Sequence, residues 1–237
     1  QGMSAGRDIG VVVNLPNLQG PCMLPACGGV GTQYTPATGW AQALAYRARV
    51  LGDPHCAGSI AVVHGGDAST ATNGFWASLN IATTERLPLL YFIEDNGYGI
   101  SVRSDRQTPG GDIAANLASF RNLIIFNGDG SDPAAAATLI EKSVAAVRAG
   151  EGPVLLRLTV PRLSGHSGQD TQAYKSSEEV AAEQARDPLL RLRGQIVPRI
   201  VADAEWKTLE AEAQTEVEAA LARVEARSAA EMAAVTR

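Results

Sequence analysis

The stretch HGGDASTATNGFWASLNIATTERLPLLYFIEDNGYGIS, residues 64–101, decides the fold. Just before and into it, residues 59–63 (SIAVV) are short and β-branched, and residues 87–93 (LPLLYFI) form a second apolar run with Pro88 punctuating its start. Both read as buried strands. Between them, polar Thr72 and Asn73 precede Phe75, Leu79, Ile81 and Ala82 at helical spacing, which predicts a helix. Strand, helix, strand is a parallel crossover unit, and such sheets collect ligands at the carboxyl ends of their strands. Asp67 then follows one strand end and Asn96 the next, so the two are expected side by side.

Around this unit the chain has 237 residues, 45% of them hydrophobic and 19% charged, enough apolar material for one sizeable core. The expectation is one α/β domain with appendages. A net charge of -5, a pI near 5.3 and the lack of a dense Lys/Arg stripe argue against nucleic acid or an anionic membrane as main partner. No apolar run approaches the length of a transmembrane helix, and nothing resembles a charged-then-apolar export signal, so a cytoplasmic protein is expected. Cys22, Cys27 and Cys56 do not pair evenly, and together with His55 they match no strong zinc spacing. Ordinary reduced cysteines are expected. The chain opens on Gln1 in a loop-like segment, and an amino-terminal part is expected to be missing.

Residues up to about Pro36 are rich in Gly and Pro and read as loop, after which ATGWAQALAYRARVLG predicts a helix closed by Gly52. Beyond the crossover unit, residues 101–122 read as a polar connection with a short helix, and LIIFNGDG as a strand entering a turn. Asp132 should cap a helix that begins at Pro133 and runs to Gly150. Residues 152–160, GPVLLRLTV, predict another strand. From Ser177 the strand pattern stops, and SSEEVAAEQA and DPLLRLRGQIV read as helical. Asp203 then opens a long amphipathic segment with Trp206, Leu209, Val217, Leu221 and Val224 on one face, which packs on its own domain or meets another subunit. The expected division is an α/β domain over 1–176 and a helical extension over 177–237.

Magnesium takes hard oxygen ligands in near-octahedral geometry, commonly one or two carboxylates with the rest from phosphates and water. Asp67, the amide oxygen of Asn96 and a backbone carbonyl of the tight DNGYG turn offer three, and a diphosphate would complete the shell. The N–H groups of the helix starting near Thr72 aim at the same spot. Taken alone, Asp67 is also an ordinary turn-former or helix cap.

The same residues carry a family resemblance. HGGDASTATNGFWASLNIATTERLPLLYFIEDNGYGIS resembles the thiamine-diphosphate fingerprint of the alpha subunit of the decarboxylating component of 2-oxo acid dehydrogenase complexes. GPVLLRLTVPRLSGHSGQDTQAYKSSEEVAAEQARDPLLRLR is similar to that family's arginine and Gly-His-Ser loop and the segment after it, and GGVGTQYTPATGWAQAL to its cofactor-facing loop and next helix. The resemblance spans nearly the whole chain, in family order. It implies a thiamine-diphosphate-binding fold, a mainly parallel sheet flanked by helices, with a helical carboxyl-terminal extension. Carried over by position, Asp67, Asn96 and the carbonyl of Tyr98 would hold magnesium, while Gly66, Ala68 and Ser69 would approach the diphosphate. Arg162 and His166 match the loop residues that reach the phosphates and the reacting end of the cofactor, which makes His166 the catalytic candidate. Gly28 and Val30 fall where the family touches the aminopyrimidine. Two departures stand out: Ala68 replaces the third glycine of Gly-Asp-Gly, and Ser164 replaces a histidine just before Gly165-His166-Ser167. The only literal Gly-Asp-Gly, Gly128-Asp129-Gly130, is a decoy, because no asparagine occurs after Asn127 to complete the motif.

The resemblance implies oxidative decarboxylation of a 2-oxo acid with acyl transfer to the lipoyl group of an acyltransferase component. It further implies a beta-type subunit, separate or fused, in a heterotetramer, without which this chain would be inactive. WASLNIA and NGYGIS look slightly closer to the branched-chain type than to the pyruvate type. An acetoin dehydrogenase-type subunit and a degenerate, non-catalytic assembly domain are the alternatives. The loop over residues 161–174, rich in Gly and Ser, is expected to be mobile until the cofactor orders it.

Overall fold

In the computed structural model, which describes residues 20–24 and 28–225, the α/β part of the chain is the unit Gly29–Arg191. It runs through α1 (Tyr34–Arg49), β1 (Ala61–Gly66), a 3-10 turn (Asp67–Ala71), α2 (Asn73–Glu85) and β2 (Leu89–Asp95). A small hairpin of β3 (Tyr98–Gly99) and β4 (Val102–Arg103) follows, then α3 (Ile113–Asn116), β5 (Ile124–Asp129), α4 (Pro133–Arg148), β6 (Val154–Thr159) and α5 (Ser177–Gln184). The next helix, α6 (Pro188–Ile196), begins within this unit. The sheet order is β1-β2-β6-β5, and every neighbouring pair is parallel.

Why the two central strands are almost wholly apolar follows from what covers them. Leu89, Tyr91 and Ile93 of β2 and Leu155 of β6 pack in one cluster with Tyr34 and Ala41 of α1, Phe75, Leu79 and Ala82 of α2, and Ile113 and Ala114 of α3. The alternate residues, Leu90 of β2 and Val154, Leu156 and Leu158 of β6, pack on the other face with Ala146 and Val147 of α4. A parallel sheet buried on both faces reads as a continuous hydrophobic run for this reason. Between α1 and α2, small polar groups close a buried chain of hydrogen bonds, Thr38 Oγ to Ser78 Oγ at 2.6 Å and Ser78 Oγ to Tyr91 Oη at 2.7 Å.

Several expectations shift. β1 lies two residues later than expected and continues through His64, Gly65 and Gly66, since the backbone register with Phe92, Ile93 and Glu94 needs no side chain. Ile81 is 40% exposed and leaves the buried face of α2 to Phe75, Leu79 and Ala82. α1 starts at Tyr34, ahead of Pro36, which sits harmlessly in the first turn. The Asp132 cap is as expected, its carboxylate accepting from the N–H groups of Ala134 and Ala135 at 3.1 Å, with Pro133 opening α4.

The other unit comprises Gln1–Gly28 and Leu192–Arg237. Its longest described element is α7 (Asp203–Glu225). Of the expected apolar face, Trp206 is buried, whereas Leu209, Val217 and Leu221 are exposed; the Val224 side chain lies outside the described residues, as does Cys27. Among the described residues no helix is long and apolar enough to cross a membrane.

Candidate metal and diphosphate site

β1 and β2 end nearly level, with Gly66 in register with Glu94, so their next residues emerge together at the carboxyl edge of the sheet. Asp67 opens the 3-10 turn there and is 5% exposed. The N–H of Asn96, just past the end of the next strand, is close enough to favour the charged form of the Asp67 carboxylate. Its Oδ2 is buried without a hydrogen-bond partner. Burial, and secondarily the nearby Asp95 charge, push the Asp67 carboxyl above the ordinary carboxylate range, opposed by the N–H groups of Asp67 and Asn96 and by Arg162. A buried carboxylate oxygen with nothing bound to it is costly in isolation and calls for a cation.

The turn after β2 is locked by its own side chains. Asp95 Oδ1 accepts from the N–H of Gly97 at 2.9 Å and Asn96 Oδ1 from the N–H of Tyr98 at 3.0 Å. Gly97 sits at φ 79°, a conformation that costs glycine little. The turn thereby holds the Asn96 amide oxygen and the Tyr98 carbonyl within four residues of each other, each with a lone pair to spare. Among the described residues no group of three or more His, Cys, Asp or Glu gathers. A cation here relies on one carboxylate with neutral oxygens, a set that suits a hard divalent ion completed by phosphate oxygens.

Gly66 and Ser69 shape the same turn. The Ser69 hydroxyl donates to the Gly66 carbonyl at 2.6 Å and bonds the Tyr34 hydroxyl at 2.6 Å, so its side chain faces inward instead of toward an open phosphate position. A Cβ added at Gly65 would collide with both hydroxyls. Ala68 is accommodated by glycine opposite: a Cβ added at Gly99 would lie 2.6 Å from the Ala68 methyl. Val30 is 67% exposed in the turn before α1. That turn meets the start of α2, where a Cβ on Gly74 would lie 2.6 Å from the Gly31 carbonyl oxygen. Gly28 is exposed and belongs to the other unit.

Arg162 does not stand free. Its Nη2 donates to the Tyr98 carbonyl at 2.9 Å and its Nη1 to the Ile100 carbonyl and, at 3.0 Å, to the Tyr174 hydroxyl. Two expectations therefore meet at one atom, since the Tyr98 carbonyl is also the expected metal ligand. His166 is exposed, and its N–H donates to Asp170 Oδ2 at 2.7 Å. Asp170 also takes the N–H of Gln172 and the hydroxyl of Tyr174, both at 2.9 Å. These N–H donors, His166 first, hold the Asp170 carboxyl below its usual range. The loop over 161–174 thus has more internal bonding than its Gly/Ser composition implies.

The decoy has a different employment. Asp129 ends β5 and pairs with Arg186 at 2.9 Å and Arg191 at 2.8 Å. Against the raising effect of burial, Ser131 and the two guanidinium groups hold its carboxyl well below the ordinary range. Sequence reading missed Asp95 and Arg157, joined at 2.6 Å beside the site; the letters Glu94-Asp95-Asn96 contain the carboxylate, but nothing in them points to residue 157.

The profile of the family described as "Dehydrogenase E1 component" matches residues 18–233. The chain belongs to this family, as the resemblance of its motifs implied. Among its relatives, the pyruvate dehydrogenase E1 component subunit alpha of Porphyra purpurea is 32% identical over 171 residues, 71% of this chain and 48% of the relative. The subunit of the same name from Rhizobium meliloti is 28% identical over 182 residues, 76% of this chain and 48% of the relative. The mitochondrial type I subunit alpha of Ascaris suum is 28% identical over 197 residues, covering 82% and 47%. The chain spans about half the length of the curated relatives it matches.

Proposed function

We propose that this chain is the diphosphate-holding half of a thiamine-diphosphate-dependent 2-oxo acid dehydrogenase. The observation that carries the reading is the buried, unpartnered Asp67 Oδ2 just past the end of β1, level with the end of the next parallel strand that leads into Asn96. Asp67, the Asn96 amide oxygen and the Tyr98 carbonyl would hold magnesium, and Gly66, Ala68 and the first turn after β1 would lie along the diphosphate. Val30, exposed in the turn before α1, would meet the aminopyrimidine. When bound, the cofactor supplies an electron sink that lets carbon dioxide leave a 2-oxo acid. Arg162, now on two carbonyls, would share its guanidinium with the phosphates, and His166, exposed in its loop, would donate or take a proton at the reacting end.

A beta-type subunit and a lipoyl-bearing acyltransferase belong to the same proposal, as does a cytoplasmic setting. For the substrate, the relatives named for pyruvate offer no support for the branched-chain lean of WASLNIA and NGYGIS, and pyruvate stands on at least an equal footing. The test is calorimetry of thiamine diphosphate with magnesium on the chain assembled with its partner. Binding that Asp67→Ala abolishes supports the reading. Undiminished binding by Asp67→Ala refutes the metal assignment, and no binding by the unaltered assembly leaves the non-catalytic assembly domain. Turnover of acetoin in place of 2-oxo acids would favour the acetoin-type alternative.

A further inference from the structure

Arg157 stands in the middle of β6, between Leu156 and Leu158, in a strand buried on both faces. Such a position is normally apolar, and a buried Arg–Asp pair contributes little net stability over a well-packed hydrophobic one. Its role is better read from what it holds. Nε donates to Asp95 Oδ2 at 2.7 Å and Nη2 stands 2.6 Å from the same oxygen in an ion pair, while Nη1 reaches Asp112 Oδ2 at 3.0 Å and Asn127 Oδ1 at 3.2 Å. The side chains of Arg157 and Asp95 are 10% and 5% exposed. Asp95 has its other oxygen on the N–H of Gly97 and its carbonyl on the N–H of Val160 at 2.8 Å.

Asp95 immediately precedes Asn96, and Asp67 feels its charge. Two carboxylates therefore lie at this corner, one of which has both oxygens engaged and the other an oxygen with no partner. We infer that Arg157 is a positioning residue for the metal corner: it holds the Asp95 carboxylate away from the cation, so that the corner offers one carboxylate instead of two. This rests on the reading of Asp67 and Asn96 as metal ligands. The consequence is selectivity by charge count. A corner with one carboxylate binds a bare divalent cation weakly and waits for a diphosphate to complete the shell, whereas two carboxylates would retain the cation alone and repel the anionic cofactor.

The test uses Mn2+ alone, without thiamine diphosphate, titrated into the full chain and followed by electron paramagnetic resonance and calorimetry. Arg157→Met should tighten Mn2+ binding by about tenfold or more and alter the bound-ion spectrum, because Asp95 is released to ligate. Arg157→Lys should stay near the parent, and Asp95→Asn added to Arg157→Met should return both readouts to the parent. Asp95→Asn alone keeps an oxygen for the Gly97 N–H but removes a charge that Asp67 feels, so Mn2+ affinity should fall by about threefold or less with the bound-ion spectrum unchanged; a loss of about tenfold or more with an altered spectrum would make Asp95 itself a ligand and overturn the inference, even if Arg157→Met does not fold. No gain in a folded Arg157→Met overturns it equally. Asp67→Ala separates the two levels: if it abolishes Mn2+ binding while Arg157→Met changes nothing, the metal reading stands and this inference falls. If Asp67→Ala changes nothing, the metal reading itself falls.

Discussion

At the scale of single residues, Ala68 shows how a departure from a motif is absorbed by its neighbour. Its methyl occupies the space a side chain at residue 99 would need, and Gly99 leaves that space open. Gly99→Ala should therefore destabilise the chain by about 1–3 kcal/mol, since overpacking forces the backbone or the Gln107 amide to move. Ala68→Gly in the Gly99→Ala background should recover part of that loss in a denaturant titration, while equal losses in the single and double variants would show that the two positions do not compete. Tyr34 yields a second residue-scale expectation. It is fully buried, and burial, only partly offset by the hydrogen bond with Ser69, raises its hydroxyl from 10.0 to about 12. A group whose folded value lies above its unfolded one contributes stability that is complete below pH 10 and is lost as pH rises through about 12. The loss should reach about 2–3 kcal/mol from this group, and Tyr34→Phe should flatten that part of the stability curve measured between pH 9 and 12.

At the scale of elements, the loop over residues 161–174 turns on Asp170, which gathers the His166 and Gln172 N–H groups and the Tyr174 hydroxyl. Tyr174 in turn holds Arg162, and Arg162 holds the carbonyls of the turn that carries Asn96 and Tyr98. Asp170→Ala should release the loop: amide exchange over 164–174 should rise by about tenfold or more without cofactor, with little change in the strands, because local opening there needs no unfolding of the sheet. Unchanged exchange would mean that these hydrogen bonds contribute nothing to loop order. At the N-terminus of α4, Asp132→Ala should cost about 1 kcal/mol in thermal or denaturant unfolding, the ordinary worth of a cap that satisfies two N–H groups. These elements were read from sequence almost where they lie, since Asp132-Pro133 and the strand runs are local signals. The bonding of the loop was not, because its composition says what it lacks in apolar anchors and nothing of the carboxylate it folds around.

At the scale of the whole α/β unit, the arrangement that matters is the level ending of parallel strands. β1, β2, β6 and β5 deliver Asp67, Asp95-Asn96, Arg162 and Asp129 toward one carboxyl edge, but only the first two strands make the candidate metal corner. Asp129, in the one literal Gly-Asp-Gly, is engaged by Arg186 and Arg191, so its carboxylate anchors the following helices. Phe75→Ala, which opens a cavity under β2 and α1, should cost about 3–5 kcal/mol in denaturant unfolding. It should also weaken magnesium-dependent cofactor binding only in proportion to the folded fraction, since Phe75 packs behind the corner and not in it.

By itself the sequence determined the crossover unit, the order of strands and helices, and the pairing of Asp67 with Asn96 at adjacent strand ends. Each rests on periodicity and spacing within a few tens of residues, which report directly on burial and on chain direction. Only the tertiary structure decided that Arg157 holds Asp95, that Arg162 covers the Tyr98 carbonyl, and that Ser69 turns inward to Tyr34. The partners in these contacts are 62, 64 and 35 positions apart. Charge and hydrogen-bonding capacity can be read from a residue's type, but which donor meets which acceptor depends on the register of strands packed together, and that information exists only once the sheet has formed.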